Sequence, residues 1–293
     1  MMELNSIAIP AALMWGIFLS VSAAGTLIVR QFKARSFFPR LAVWFVIIPL
    51  FLSALYFGKW TFFALVCLSF GVCYYELARI NTRISFPVQA LALALALPWL
   101  LIAQFIGYSH WLLIPAFTSL AAAAYVLKNW NRDRWWNIPA FAFLLGVCFS
   151  YWIYLNRLGS FRLALFVFSV VALFDIMAFV TGKLSGGRYC PFPRLSPNKT
   201  LNGYLGGLLS AIFAAYLFWF AVPELNFLQV TMAGLLITVA GSSGDLLGSL
   251  IKRQNGLKDF SSMLGPMGGL TDRLDSQLIT MGLFYYYLLA IIR

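Results

Sequence analysis

Charged residues are scarce in this chain. Only 10% of its 293 residues are charged and 62% are hydrophobic, whereas soluble domains carry about 25% charged residues. A chain this poor in charge cannot cover its surface with groups that favour water, so a soluble fold is excluded and lipid is the expected solvent. The apolar runs are long and uninterrupted, which predicts helices rather than the alternating strands of a barrel.

Histidine and paired cysteines are scarce as well. The one histidine, His110, is predicted to lie in an outer loop, which argues against a histidine-dependent mechanism. The four cysteines form no CxxC or CxxH pair, so we interpret them as small hydrophobic residues rather than as a metal site or disulfide framework. No basic residue precedes the first apolar run, so we expect that run to remain as a helix rather than to be removed as a signal peptide.

Ten apolar runs are long enough to cross a membrane, or nine if short neighbours merge. We therefore predict an all-α integral membrane protein with about ten transmembrane helices. The predicted spans are Ile7–Val29, Leu41–Phe57, Thr61–Leu77, Val88–Ile106, Trp111–Leu127, Ile138–Leu155, Leu163–Val180, Leu201–Val222, Leu228–Ile251 and Gln277–Ile292.

The basic residues indicate an orientation for these spans. With ten spans, 17 of the 21 basic residues fall in the odd-numbered loops. The positive-inside rule then places those loops in the cytoplasm and both termini outside the inner membrane. The formal net charge of +12 has the same explanation, because basic loops meet anionic headgroups, and no nucleic-acid partner is expected.

The two halves of the chain differ in polarity. Residues 1–162 form transmembrane helices with short loops and few polar residues. Residues 163–293 carry carboxylates inside or beside the spans and two longer cytoplasmic loops, 183–200 and 252–276. We predict that the catalytic region lies on the cytoplasmic side of this second half, since an ionisable residue at membrane depth indicates function.

Asp175 and Asp245 lie within predicted spans. Asp245 shares a helical face with Ser249 and Lys252, which gives a polar stripe running towards the cytoplasm. The structural alternative is hydrogen bonding between helices, with Gly241, Gly244 and Gly248 allowing close packing. Packing alone does not require the aspartate.

A second polar cluster precedes the last span. Asp272 and Asp275 follow Gly268 and Gly269, whose amides can approach a phosphate. Alternatively, Thr271 or Asp272 simply caps the last helix. The earlier cytoplasmic loop 183–200, which holds Arg188, Arg194 and Lys199, could likewise be an ordinary basic loop.

Taken together, these clusters suit phosphoryl chemistry. Carboxylates are ligands for Mg²⁺, and cations hold a multiply charged phosphate chain. These are the groups that nucleotidyl transfer needs.

The segment Ser249–Ser276 resembles the diagnostic segment of the CDP-diacylglycerol synthase family (phosphatidate cytidylyltransferases). Upstream, Gly244-Asp245 resembles the family's Gly-Asp, and the helix around Asp175 and the loop around Lys199 are also similar. Tyr74–Ile80 (YYELARI) resembles a family helix end that contains a glutamate. The matching positions of the diagnostic segment are Ser249, Lys252, Arg253, Lys258, Asp259, Ser261, Leu264, Gly265, Gly268, Gly269, Asp272, Arg273 and Asp275.

The resemblance implies a Mg²⁺-dependent attack of a phosphatidate oxygen on the α-phosphorus of CTP, giving CDP-diacylglycerol and pyrophosphate. It also admits a monovalent cation such as K⁺ and implies a homodimer among membrane lipids. Asp245 and Asp272 would bind the metal, meeting at the cytoplasmic edge of the bilayer, and Lys252 and Arg273 would complete the catalytic set. Phosphate and nucleotide contacts would come from Ser196, Lys199, Lys258, Asp175, Asp259, Gly268 and Gly269.

The sequence departs from the family pattern at four positions. Met267 replaces a histidine before Gly-Gly, and Asn198, Leu201 and Asn202 replace lysine, tryptophan and glutamate. These changes predict a divergent paralogue whose exact lipid phosphate is open. Two other functions are carried as alternatives: a CTP-dependent prenol kinase of the same superfamily, and a transporter lined by the polar residues.

Overall fold

The structure is a computed structural model built of helices. Besides isolated positions at 16, 46–47, 49–51, 53–54 and 121, it describes residues 57–80, 85–106, 137–159, 161–186, 189–193, 196–197, 199–265 and 268–292. Apart from those isolated positions and Phe57, the spans predicted at Ile7–Val29, Leu41–Phe57 and Trp111–Leu127 lie outside these residues. The described residues contain no strand.

Seven long helices account for most of the described residues, and each coincides with a predicted span. They are α1 (Lys59–Ile80), α2 (Phe86–Phe105), α3 (Asn137–Gly159), α4 (Phe161–Leu184), α5 (Leu201–Leu217), α6 (Phe227–Gln254) and α7 (Thr271–Ile292). Six are long and apolar enough to cross a membrane, and α5 is a shorter apolar helix. The chain is therefore a multi-pass membrane protein, and the total of ten spans stays a prediction.

Two helix boundaries differ from the prediction by five or six residues. The α5 helix ends at Leu217 and is followed by a 3₁₀ turn, Trp219–Ala221, shortly before Pro223. The α7 helix begins at Thr271, six residues before the apolar run, because its first turns are polar. Asp272 and Asp275 therefore lie on a helix rather than in a loop.

Helix α3 lies at the centre of the described bundle. It packs along α2 and also contacts α1, α4 and α7. Its Trp152 is fully buried and packs edge-on against Phe168 of α4, with ring centroids 4.9 Å apart. In contrast, Leu205, Leu209 and Phe213 of α5 are exposed at helical spacing, as expected for a face that contacts lipid.

Helices α6 and α7 pack closely and carry the polar cluster. Helix α6 starts with a capping box, in which Asn226 and Gln229 each accept a backbone N–H from the other. Gly244 and Gly248 of α6 face Asp275 of α7. Small residues at this contact bring the two backbones together, which places the charged ends of both helices side by side.

Candidate functional site

Two ion pairs form the centre of the candidate site. The Lys199 ammonium donates to Asp245, joining the segment before α5 to the middle of α6. Both side chains are about one quarter exposed. Burial by itself lowers the pKa of Lys199, but Asp245 and other neighbours outweigh it, so the pKa lies above its ordinary value. Lys199 is therefore a cation at neutral pH.

The second ion pair is more deeply buried. Lys252 of α6 donates to Oδ1 of Asp272 at 2.6 Å, and the Asp272 side chain is only 2% exposed. Its other oxygen, Oδ2, accepts the backbone N–H groups of Phe260 at 2.9 Å and Gly269 at 2.8 Å. Both oxygens of Asp272 are thus occupied by protein donors.

Asp275 lies between the two ion pairs. The charges that act on it are those of Asp245, Lys252 and Lys199. A Cβ added to Gly248 would be 2.8 Å from Oδ2 of Asp275, so the carboxylate lies directly on the backbone of α6. Among the described residues Asp275 forms no ion pair; its Oδ1 accepts the N–H of Ser276 at 2.8 Å.

Glu76 joins this region from the first half of the chain. It lies one turn before the C-terminal end of α1 and is 1% exposed. Its carboxylate accepts hydrogen bonds from the Ser261 hydroxyl and from the backbone N–H groups of Leu270 and Thr271. The sequence places Glu76 in the Tyr74–Ile80 segment that resembles a family helix end, but we predicted no role in the site for it. The rule that buried carboxylates in spans are functional applies to it as it does to Asp175.

The two predicted glycines contact these carboxylates. Gly268 has φ +80°, and a Cβ there would lie 2.7 Å from Oδ2 of Asp272. A Cβ on Gly269 would overlap the carboxylate of Glu76. Close packing against these carboxylates therefore explains why both positions are glycine. Phosphate binding by their amides stays a prediction.

The remaining predicted residues lie around this centre. Asp175 of α4 is half-buried and acts electrostatically on Lys199, and Ser196 accepts the N–H of Lys199 at its carbonyl. Lys258 and Asp259 are exposed. Nε of Arg273 is buried without a hydrogen-bond partner in the described part of the chain.

Several residues from the sequence analysis cannot be placed. His110, Arg188, Arg194, Asn198 and Met267 lie outside the described residues. Leu201 and Asn202 are exposed at the start of α5.

The carboxylates suit a partly hydrated divalent ion. No group of three or more His, Cys, Asp or Glu side chains that could hold a metal lies within the described ranges. Mg²⁺ does not need such a cage, since it is often held by one or two carboxylates, water and substrate phosphates. Asp245 and Asp275 repel each other electrostatically, and a divalent cation held between them would offset that repulsion.

The expected meeting of Asp245 and Asp272 at one metal stays a prediction. Each pairs with a different lysine. The carboxylate that acts directly on Asp275 is that of Asp245.

Comparisons with known proteins agree on one family. A family model described as "Cytidylyltransferase family" matches residues 38–291. A phosphatidate cytidylyltransferase of Staphylococcus haemolyticus is 30% identical over 244 residues, covering 80% of this chain and 92% of that protein.

Other relatives match over shorter segments. A phosphatidate cytidylyltransferase of Aquifex aeolicus is 31% identical over 171 residues, covering 58% of this chain and 64% of that protein. The protein YnbB of Escherichia coli K12, described as uncharacterized, is 39% identical over 133 residues, covering 45% and 44%. The match thus spans less than two thirds of the length of these two relatives.

Proposed function

Because the chain belongs to the cytidylyltransferase family, we propose that it transfers the cytidylyl group of CTP to phosphatidate or a related lipid phosphate. A phosphate oxygen of the lipid attacks the α-phosphorus of CTP. The bond from that phosphorus to the bridging oxygen breaks, and pyrophosphate leaves. The products are a CDP-lipid, which is CDP-diacylglycerol when the acceptor is phosphatidate, and pyrophosphate.

The observation that carries this proposal is the alternation of carboxylates and lysines where α6, α7 and the segment before α5 meet. Lys199 and Lys252 are cations held in place by Asp245 and Asp272. When a phosphate chain enters, both ammonium groups are available to bind its oxygens. The further phosphate contacts that we propose are the exposed Lys258 and Arg273, whose Nε has no hydrogen-bond partner among the described residues.

Mg²⁺ is the cofactor that we propose, and it would supply charge neutralisation on the phosphates. Asp245 is its first proposed ligand. For the second, the predicted Asp272 would have to release Lys252, whereas Asp275 has no ion pair to give up among the described residues. We therefore favour Asp245 with Asp275 and treat Asp272 as the competing assignment. A second, monovalent ion such as K⁺ and a homodimer stay predictions.

The proposed location is the inner membrane, with the site facing the cytoplasm and both termini outside. The basic loops support it, because 17 of the 21 basic residues lie on the predicted cytoplasmic side. Lys199 and Lys252, which belong to two of those loops, both take part in the ion pairs of the site.

Labelled CTP distinguishes the proposal from its alternatives. The purified full-length protein in detergent is given Mg²⁺, a panel of lipid phosphates and prenols, and CTP labelled at either the α- or the γ-phosphorus. We expect α-label to enter lipid and pyrophosphate to be released. Transfer of γ-label with release of CDP would identify a lipid kinase instead. Solute movement without nucleotide turnover would identify a transporter.

A further inference from the structure

We propose that Glu76 is a positioning residue for the nucleotide site, and that it acts by connecting the two ends of the loop between α6 and α7. This inference rests on the proposed function. The part of the connection that Glu76 contacts runs from Phe260 to Thr271, the first residue of α7, and belongs to the diagnostic segment. Glu76 comes from α1, far away in sequence, and is held against the loop by three hydrogen bonds.

The two oxygens of Glu76 tie opposite ends of this loop. Oε1 accepts the Ser261 hydroxyl at 2.7 Å and the N–H of Leu270 at 2.9 Å. Oε2 accepts the N–H of Thr271 at 2.8 Å. One carboxylate thus fixes residues that are nine or ten positions apart in the chain.

Asp272 makes a parallel connection across the same loop. Its Oδ2 joins the N–H of Phe260 to the N–H of Gly269. Three consecutive amides, those of Gly269, Leu270 and Thr271, are therefore each accepted by a buried carboxylate. The two carboxylates differ in one respect: Asp272 also binds Lys252, whereas Glu76 forms no ion pair among the described residues.

The carboxylate of Glu76 lies against the N-terminus of α7, which explains how a buried negative charge is accommodated there. The first N–H groups of a helix have no partner within the helix, and its N-terminus favours a negative charge. Hydrogen bonds to a charged acceptor are stronger than neutral ones. Glu76 therefore orients the first turn of α7, and with it Asp272, Arg273 and Asp275.

A carboxamide at position 76 removes the charge and one acceptor while keeping the size of the side chain. In Glu76→Gln, one end of the group presents an N–H₂ where the structure needs an acceptor for N–H or O–H donors. We expect the KM for CTP to rise by about tenfold or more, while the KM for the lipid phosphate changes less than twofold. A residue that only stabilises the fold would lower the amount of active enzyme without this split.

Two further variants complete the test. Glu224→Gln changes an exposed glutamate that pairs with Arg162 and should leave both KM values unchanged. Ser261→Ala removes one of the three donors to Glu76 and should raise the KM for CTP less than Glu76→Gln does. In the double variant the two effects should combine to less than their product, because both act through the same carboxylate. Independent, multiplying effects would contradict the proposal, and so would an unchanged KM for CTP in Glu76→Gln.

Amide hydrogen exchange provides a readout that does not depend on catalysis. In the folded full-length protein, Glu76→Gln should speed exchange in peptides covering Gly269 to Thr271 by about tenfold or more, and Glu224→Gln should not. If Glu76→Gln does not fold, Ser261→Ala gives the same test with a smaller expected change. Unchanged exchange overturns the inference even in an active enzyme. If Glu76→Gln speeds exchange as expected but the wild-type protein turns over no CTP, the proposed function is refuted while the contact of Glu76 with the loop stands.

Discussion

Asp245, Asp272 and Asp275 show how far single residues can be interpreted from a sequence. Their charge within or beside apolar runs identifies all three as candidates. What the sequence does not contain is the partner of each one, since Lys199 is 46 positions from Asp245 and Lys252 is 20 positions from Asp272. Only the fold shows that Asp272 is saturated by donors while Asp275 is not paired with a cation in the described part of the chain.

These surroundings predict different metal dependences for the three aspartates. Asp245→Asn and Asp275→Asn should each raise the Mg²⁺ concentration for half-maximal turnover by about tenfold or more, since each removes a proposed ligand. Asp272→Asn should abolish turnover without restoration by Mg²⁺, because Lys252 and two loop amides lose their acceptor charge. The measurement is a Mg²⁺ titration of CTP turnover at matched membrane insertion.

The opposite pattern decides for the competing assignment. If Mg²⁺ rescues Asp272→Asn while Asp275→Asn titrates like the wild type, Asp272 is the second ligand and Asp275 is structural. Full activity of Asp245→Asn would remove the metal assignment altogether. Glu224→Gln is the matched control, because it removes one carboxylate charge outside this cluster.

At the scale of elements, hydropathy finds the helices but not their polar ends. All seven described helices follow predicted apolar runs, yet α7 starts six residues early. An apolar window cannot include a first turn that contains Thr271, Asp272 and Arg273. Its capping by Glu76 could not be predicted either, because the acceptor lies in another helix almost 200 residues away.

The contact between α6 and α7 predicts a graded response to alanine at three glycines. A Cβ at Gly244 would overlap the backbone oxygen of Asp275, which cannot move away alone. Gly244→Ala should therefore destabilise the protein by about 1–3 kcal/mol. Gly248→Ala meets the Asp275 side chain and should reduce turnover more than stability. Gly241→Ala, whose Cβ would lie 3.6 Å from Thr280, should be tolerated best.

Unfolding of the purified protein in detergent and CTP turnover measure the two effects separately. Gly71 on α1 provides the matched control, since a Cβ there would meet nothing within 4 Å. Gly71→Ala should be neutral or stabilising by up to about 1 kcal/mol, the difference in helix propensity. Equal stability of Gly244→Ala and Gly71→Ala would contradict the close packing of α6 on α7.

At the scale of the whole molecule, Glu76 connects the predicted N-terminal half to the predicted catalytic half, since it accepts hydrogen bonds from residues 261, 270 and 271. Three contacts join residues that are predicted to lie on the same side of the membrane. Arg157 at the end of α3 donates to carbonyls of Ala103 and Gln104 at the end of α2, and all three positions fall on the predicted outer side. Arg162 and Glu224, also predicted outside, form an ion pair. Glu76 and Thr271, predicted to be cytoplasmic, meet at the opposite end of the bundle.

Chemical labelling of single cysteines tests which of these two sides faces the cytoplasm. In a variant lacking Cys67, Cys73, Cys148 and Cys190, cysteine is introduced at the exposed positions Phe57, Phe86, Glu224 and Met263. A maleimide that does not cross membranes should label intact spheroplasts only at positions 57 and 224. Permeabilised cells should be labelled at all four, because the positive-inside rule retains the basic loops next to positions 86 and 263 in the cytoplasm. If intact spheroplasts are labelled at 86 and 263 alone, the orientation is the inverse of the predicted one and the carboxylates face away from cellular CTP. A mixed pattern of labelling would contradict the predicted order of spans.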